Sequence, residues 1–192
     1  MYRILEKVDL TPDIHLLKID APDVARKARA GQFIIFRIDE KGERIPLTVA
    51  DYDRDEGTVT IVFMEVGKTT HQLALLQAGD SILNFAGPLG IPTEIENYGT
   101  VICVAGGFAI APIYAIAKAL KNAGNRVISI LGVRTRDLLF WEENMRSVSD
   151  ELIITTDDGS YGQKGLVTEP LKDLLENDKS IQRVIAVGPV IM

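Results

Sequence analysis

The sequence is short of the residues that build metal centres and covalent cross-links. Cys103 is its only cysteine, and His15 and His71 are its only histidines in 192 residues. One cysteine excludes an internal disulfide, and it excludes a cysteine-ligated zinc ion or iron–sulfur cluster assembled from this chain alone. Cys103 stands in an apolar run and reads as a small buried strand residue. The two histidines are too few and too far apart to suggest a metal site. Positive charge is also scarce: 21 Lys and Arg stand against 27 Asp and Glu, a net charge of −6. Without a Lys/Arg cluster, that balance excludes a nucleic-acid-binding surface. No apolar run is long enough to span a bilayer. The opening residues, MYRILEKVDL, have no apolar core of a secretion signal, so a cytoplasmic protein is expected. The length allows one large or two small domains, and a hydrophobic share of 46% is enough to give each a core.

Up to about residue 97 the chain reads as short strands between turns. ILEKVDL and IHLLKID flank a Thr-Pro-Asp turn. GQFIIFRID, IPLTVADYD and TVTIVFMEV come next, separated by DEKGER and DRDEG. Strands at this spacing predict a small antiparallel Greek-key β-barrel. TTHQLALLQAG is the exception. It predicts a short helix ended by Gly79, with Leu73 and Leu76 facing inward and Leu75 beside them. From residue 100 the period changes to strand–helix alternation. Strands are expected at 101–105, 127–132, 151–155 and 183–187, and helices at 110–123, 138–147 and 167–177. That pattern predicts a doubly wound parallel α/β (Rossmann-like) domain. The boundary is expected in GPLGIPTEIENYG, giving domains 1–97 and 98–192. A strand ending in Gly188-Pro189 is normally followed by another helix, so the second domain is expected to be incomplete at Met192.

Five segments carry chemistry. Val66-Gly67-Lys68-Thr69-Thr70 opens the predicted helix with a glycine, a lysine and two hydroxyls. Backbone N–H groups and the helix dipole there suit a diphosphate, although a threonine N-cap beside a solvated lysine has the same pattern. In Arg44-Ile45-Pro46-Leu47-Thr48-Val49, a proline within a strand implies an edge or an interrupted ladder. Backbone groups of Leu47 and Val49 are then expected to be free for a ligand, and Thr48 to offer a hydroxyl to a flavin ring nitrogen. A plain edge strand is the other reading. Gly106-Gly107-Phe108-Ala109-Ile110-Ala111-Pro112 follows a strand and enters a helix, the context in which glycines let a backbone approach a dinucleotide; any tight βα turn shares it. Pro112 fits a first helical turn. Arg134 and Arg136 follow the second parallel strand, where a ribose or its phosphate is commonly read. Asp157, Asp158 and Gly159 follow the third, placed for a nicotinamide ribose or serving as a polar turn.

The order of these segments is more specific than any one of them. RIPLT, GKTT, GPLG, GGFAIAP, TDDGSYG and a final strand ending in GP occur in succession. In that order the chain resembles the ferredoxin–NADP reductase superfamily. Within it, the chain is similar to the small electron-transfer subunits of NADH-dependent reduced ferredoxin:NADP oxidoreductase (sulfide dehydrogenase) and of dihydroorotate dehydrogenase. The resemblance implies a flavoprotein oxidoreductase that passes a hydride between NAD(H) and bound FAD. Single electrons would go on to an iron–sulfur centre, a larger partner subunit and, indirectly, a ferredoxin-type carrier. It implies FAD contacts at Pro46, Leu47 and Thr48 (ring) and at Val66, Gly67, Lys68, Thr69 and Thr70 (diphosphate). It implies a nicotinamide nucleotide site at Gly106, Gly107, Ala109, Ile110, Ala111 and Pro112, completed by Arg134, Asp157, Asp158, Gly159, Gly188 and Pro189.

Three departures stand out. The superfamily's R-x-Y-[ST] motif, aligned on Thr48, has Ile45 in place of the arginine and Leu47 in place of the tyrosine, with Arg44 displaced by one. Ala109 replaces the third glycine of the nucleotide turn, and its methyl is expected to crowd the cofactor. The family's cysteine-rich [2Fe–2S] segment is missing, so that cluster is expected only if the full protein continues beyond Met192. A nucleotide-sensing regulatory module without redox turnover and a self-contained flavin reductase are the competing readings.

Overall fold

Alternating apolar residues drive the first part of the chain into sheet, because each strand then has one face to hide from water. In the computed structural model, which describes residues 1–190 and Met192, β1 (Tyr2–Thr11) and β2 (Ile14–Asp20) form a hairpin over Pro12-Asp13. A single turn of helix, α1 (Pro22–Ala25), leads to β3 (Phe33–Arg37), β4 (Ile45–Asp53) and β5 (Thr58–Met64), an antiparallel meander. β5 then pairs with β2 from Ile14↔Met64 to Asp20↔Thr58. Three hairpin-linked strands with an earlier strand beside the last make the expected Greek key.

Helix α2 (Lys68–Leu75) precedes β6 (Ser81–Ile82) and β7 (Asn84–Leu89). These two strands are missing from the sequence expectation. β6 pairs with β1 and β7 with β3, so the order is β6-β1-β2-β5-β4-β3-β7. Only Leu83 separates the two end strands, and its N–H donates to the Ile38 carbonyl at 3.0 Å. The sheet therefore closes on itself. Inside it Ile4, Leu17, Ile19, Ile34, Phe36, Ile61, Phe63 and Ile82 have no exposed surface. Leu73 of α2 is equally buried, and Leu76 packs against the same core. Leu75 does not face inward: it is 77% exposed. The helix also ends before Gly79, because Leu76 is already extended at ψ 149° to reach the core. Gly79 lies in the next turn and donates its N–H to the Ile4 carbonyl.

The second unit begins after Thr93. β8 (Thr100–Gly106) leads through one 3₁₀ turn, Gly107–Ala109, into α3 (Ile110–Asn122). Then come β9 (Arg126–Val133), α4 (Glu142–Ser147), β10 (Glu151–Thr156), the short β11 (Gln163–Lys164), α5 (Thr168–Asn177) and β12 (Ile181–Val187). All strand pairs are parallel, in the order β11-β10-β9-β8-β12. Crossovers of one hand run both ways from β8, which puts α3 and α5 on opposite faces of a doubly wound sheet. Val167, Leu171 and Leu174 cover Ile102, Val104, Ile128 and Ile130 on the α5 side. β8, flanked by strands and covered on both faces, is buried from Thr100 to Ala105.

The helix expected over 138–147 is shorter. Residues Arg136–Leu138 form a separate 3₁₀ turn, and α4 starts only at Glu142. Trp141 interrupts them with a left-handed φ of 57°, held by edge-on contacts to Tyr114 at 5.0 Å and Phe140 at 6.1 Å. Among the described residues no helix is long and apolar enough to cross a membrane.

Candidate functional site

In the barrel, β4 changes partners midway. Ile45 to Thr48 pair with β3, whereas pairing with β5 starts at Val49. β4 is thus an internal strand with an interrupted ladder, not an edge. Val49 is engaged, contrary to the sequence expectation: its N–H donates to the Gln32 carbonyl at 3.0 Å. Antiparallel hydrogen bonds alternate along a strand, so Leu47 also turns its backbone groups toward β3, opposite Ile34. The groups pointing away from β3 are the Pro46 carbonyl and the Thr48 N–H and carbonyl. Proline is tolerated at 46 because that position owes β3 no donor. The side chains divide in the same way. Ile45, Leu47 and Val49 belong to the barrel core, and Pro46 and Thr48 share the outer face. A planar ring set against that face would meet the Thr48 amide and hydroxyl, with Leu47 supporting from behind.

The start of α2 is the second element. Gly67 precedes the helix in an extended conformation, and no side chain caps the first turn. Thr70 is not available to a ligand. Its hydroxyl accepts from the N–H groups of Val66 (2.9 Å) and Gly67 (3.0 Å) and donates to the Gly67 carbonyl (3.0 Å). Thr69 is buried and donates to Glu43 at 3.1 Å. The N–H groups of Lys68, Thr69 and Thr70 have no intrahelical acceptor, because the first helical bond is His71 N–H to the Gly67 carbonyl. Lys68 is exposed, with no ion pair among the described residues. A side chain at Gly67 would meet nothing within 4 Å. Open space, three N–H donors and a cation fit an anionic diphosphate.

The second unit supplies a glycine turn at the end of β8. Gly107 has φ +59° and open space where a Cβ would stand, so the backbone there is both left-handed and approachable. Gly106 is packed differently. A Cβ on it would lie 2.9 Å from Pro189 Cδ and 2.9 Å from Met192 Sδ, and one on Gly188 would lie 3.4 Å from the Gly106 nitrogen. Gly106, Gly188 and Pro189 therefore meet where β8 and β12 end. Strand order reverses there, which makes it the crevice of a doubly wound sheet. Ile110, Ala111 and Pro112 form the first turn of α3 as expected, with Pro112 needing no donor. Ala109 corrects an expectation. It is only 7% exposed, so its methyl packs into the turn and leaves little to crowd a ligand. Ala109→Gly is expected to lower stability by about 0.5–1 kcal/mol through backbone entropy, without tightening nicotinamide nucleotide binding. Paired thermal melts and nucleotide titrations check both parts.

The two arginines after β9 are in different states. Arg134 is exposed, and no acidic side chain pairs with it among the described residues. The Arg136 guanidinium stacks on the Tyr161 ring at 4.4 Å, and the Arg136 backbone N–H donates to Ser160 Oγ at 2.9 Å. Tyr161 donates in turn to Glu142 at 2.9 Å. Asp157 and Gly159 lie exposed in the same turn. Asp158 is spent within it, accepting from the Ser160 hydroxyl (2.6 Å) and N–H (2.9 Å). Those bonds, the hydroxyl's first, hold its carboxyl below the ordinary aspartate range.

Sequence reasoning missed three participants. Glu43 reads as a turn residue, and nothing marks it as the partner of Thr69. Tyr161 joins the loops after β9 and β10 through its ring and hydroxyl. A chain of charged groups around His15 lies beside α2; its trace in the sequence is an imidazole in phase with the inward-facing Leu17 and Ile19.

No family model matches the chain. It is 50% identical over 189 residues to the "dihydroorotate dehydrogenase B (NAD(+)), electron transfer subunit homolog" of Thermotoga maritima, covering 98% of this chain and 66% of that protein. It is 32% identical over 194 residues to the dihydroorotate dehydrogenase B (NAD(+)) electron transfer subunit of Fusobacterium nucleatum, covering 97% and 74%. A structure of NADH-dependent reduced ferredoxin-NADP oxidoreductase, solved to study flavin-based electron bifurcation, matches with a TM-score of 0.90 and 47% identity over all of this chain and 69% of its own. A ferredoxin NADP+ reductase from Neisseria gonorrhoeae with bound FAD and NADP shares the fold at a TM-score of 0.78 and 20% identity, over 99% and 85%. The chain spans about two thirds of the length of the first two curated relatives.

Proposed function

The chain belongs to the family of dihydroorotate dehydrogenase B electron transfer subunits, and from that membership we propose that it is the flavin- and nicotinamide-binding part of a heteromeric oxidoreductase. One combination carries the proposal: a closed barrel with an uncapped helix start and a parallel sheet with an open glycine turn at its switch point. The start of α2, with Lys68, would hold the FAD diphosphate, and Pro46 and Thr48 would face the ring. FAD, when bound, supplies the conversion between two-electron and one-electron transfer that no side chain here can perform. Thr48 would set the hydrogen bonding at the ring edge and so tune its potential. Gly107 and the first turn of α3 would admit the nicotinamide nucleotide, with Arg134 as the unengaged cation for its phosphate side. Asp157, Asp158, Gly159, Gly188 and Pro189 would line the remaining wall.

A larger oxidoreductase subunit is the proposed partner, with NADH as reductant and a ferredoxin-type carrier downstream. A cytoplasmic location is part of the same proposal. Cys103 alone does not fit a [2Fe–2S] centre: it is buried, and burial pushes its thiol up to about 12. Such a centre would need ligands from outside this chain.

The test is the absorbance spectrum of the purified protein before and after anaerobic NADH. A flavin spectrum that NADH bleaches is expected. A colourless protein that cannot be reconstituted with FAD defeats the proposal. A bound flavin that NADH leaves oxidised would favour a sensing module instead.

A further inference from the structure

We propose that His15 is the positioning residue of the flavin-diphosphate loop, acting as a bridge between two carboxylates; this rests on the proposed FAD site at α2. His15 lies on β2 and is 5% exposed. Its Nδ1 is 2.6 Å from Asp9 Oδ1, and its Nε2 is 2.6 Å from Glu65 Oε1. Both ring nitrogens are thus within hydrogen-bond reach of a carboxylate oxygen, one on β1 and one on the segment that leads into α2. The other Glu65 oxygen bonds His71 Nδ1 on α2. Lys7 lies 3.6 Å from Asp9 and donates to the Ala74 carbonyl at the far end of α2.

The charged groups facing His15 are thus Asp9 and Lys7 from β1 and Glu65 from the segment after β5, with His71 of α2 beyond Glu65. β5 itself contributes the Phe63 ring, 5.4 Å from the imidazole between centroids. Both carboxyls are held below their ordinary range. The His15 hydrogen bond is the main cause at Asp9; at Glu65 it is the His71 bond, followed by the His15 bond.

Glu65 stands directly before the donors of the α2 start. The next two N–H groups along the chain, of Val66 and Gly67, are the ones gathered by the Thr70 hydroxyl. Fixing Glu65 therefore fixes the direction in which the open donors of Lys68, Thr69 and Thr70 point. Glu65 has one backbone tie as well, its N–H to the Asp13 carbonyl at 2.9 Å, but among the described residues its side chain is held only by the two histidines. Charge networks of this kind contribute little net stability and serve better to fix a register.

The experiment is FAD affinity for the wild type, His15→Phe and Glu65→Gln, with the Lys68 to Thr70 amides followed by NMR in the ligand-free proteins. Both variants are expected to weaken FAD about tenfold, the worth of one hydrogen bond to a charged group, and to move those three amides. Unchanged affinity in a folded His15→Phe, or amides that stay still, overturns the proposal, whatever happens to the melting temperature. Should His15→Phe not fold, Glu65→Gln, which keeps the shape and removes the charge, is read in its place with the same two outcomes. If the wild type binds no FAD, the FAD reading fails on its own, and the positioning role is then read from the ligand-free proteins alone: Lys68 to Thr70 amides that stay still in both variants overturn it.

Discussion

Phe63→Ala is expected to destabilise the barrel unit by about 3–5 kcal/mol, the range for emptying a phenylalanine site in a packed core. Phe63 is wholly buried among Ile61, Leu17 and the other inward residues, and its ring also covers His15. Closure makes the loss worse, because strands tied into a ring cannot shift independently to fill the hole. Domains are stable by only about 5–15 kcal/mol in total, so a third or more of the margin goes with one side chain. Trp141, the only tryptophan, lies in the other unit and would not report the change. Native-state hydrogen exchange at β5 amides is the suitable measurement. A loss below about 1 kcal/mol would mean that the barrel wall relaxes and is less tightly packed than its burial implies.

Lys68→Ala is expected to weaken FAD binding by about 1.5–3 kcal/mol, the worth of a hydrogen bond to a charged group, or roughly ten- to a hundredfold in Kd. The folded protein should not notice, since Lys68 is exposed and has no ion pair among the described residues. That separation makes the result readable: affinity falls while the melting temperature holds. Wild-type affinity should also decline with added salt, and the variant should show a shallower decline. Unchanged affinity would mean that the lysine points to solvent and that the helix N–H groups act alone.

Much of this architecture is legible in the residues, for a physical reason. Period-two alternation in TVTIVFM and the buried run of TVICVA each have one stable solution, a barrel wall and a central parallel strand. What escaped depends on closure or on partners. Gly87-Pro88-Leu89 falls in the expected linker and Ser81–Ala86 is assigned to no strand, yet closing the sheet needs those residues as strands. Leu138–Trp141 is apolar enough to extend a helix, but aromatic contacts to Tyr114 hold Trp141 out of it.

At the site, residue type pointed to the right segments but could not assign the bonds. Leu47 and Val49 looked available because the sequence does not say which side of β4 has a neighbour. Thr70 looked like a phosphate ligand because a hydroxyl that caps its own helix and one that binds a ligand are spelled alike. Ala109 looked obstructive, yet its methyl is buried in the turn.

The single amino acid between β6 and β7 has a consequence for how this lobe meets other chains. Where β6 lies against Tyr2 and Arg3, that end of β1 has strands on both sides and no spare amides and carbonyls to lend. A neighbouring chain that meets the barrel at that end must therefore grip it by side chains.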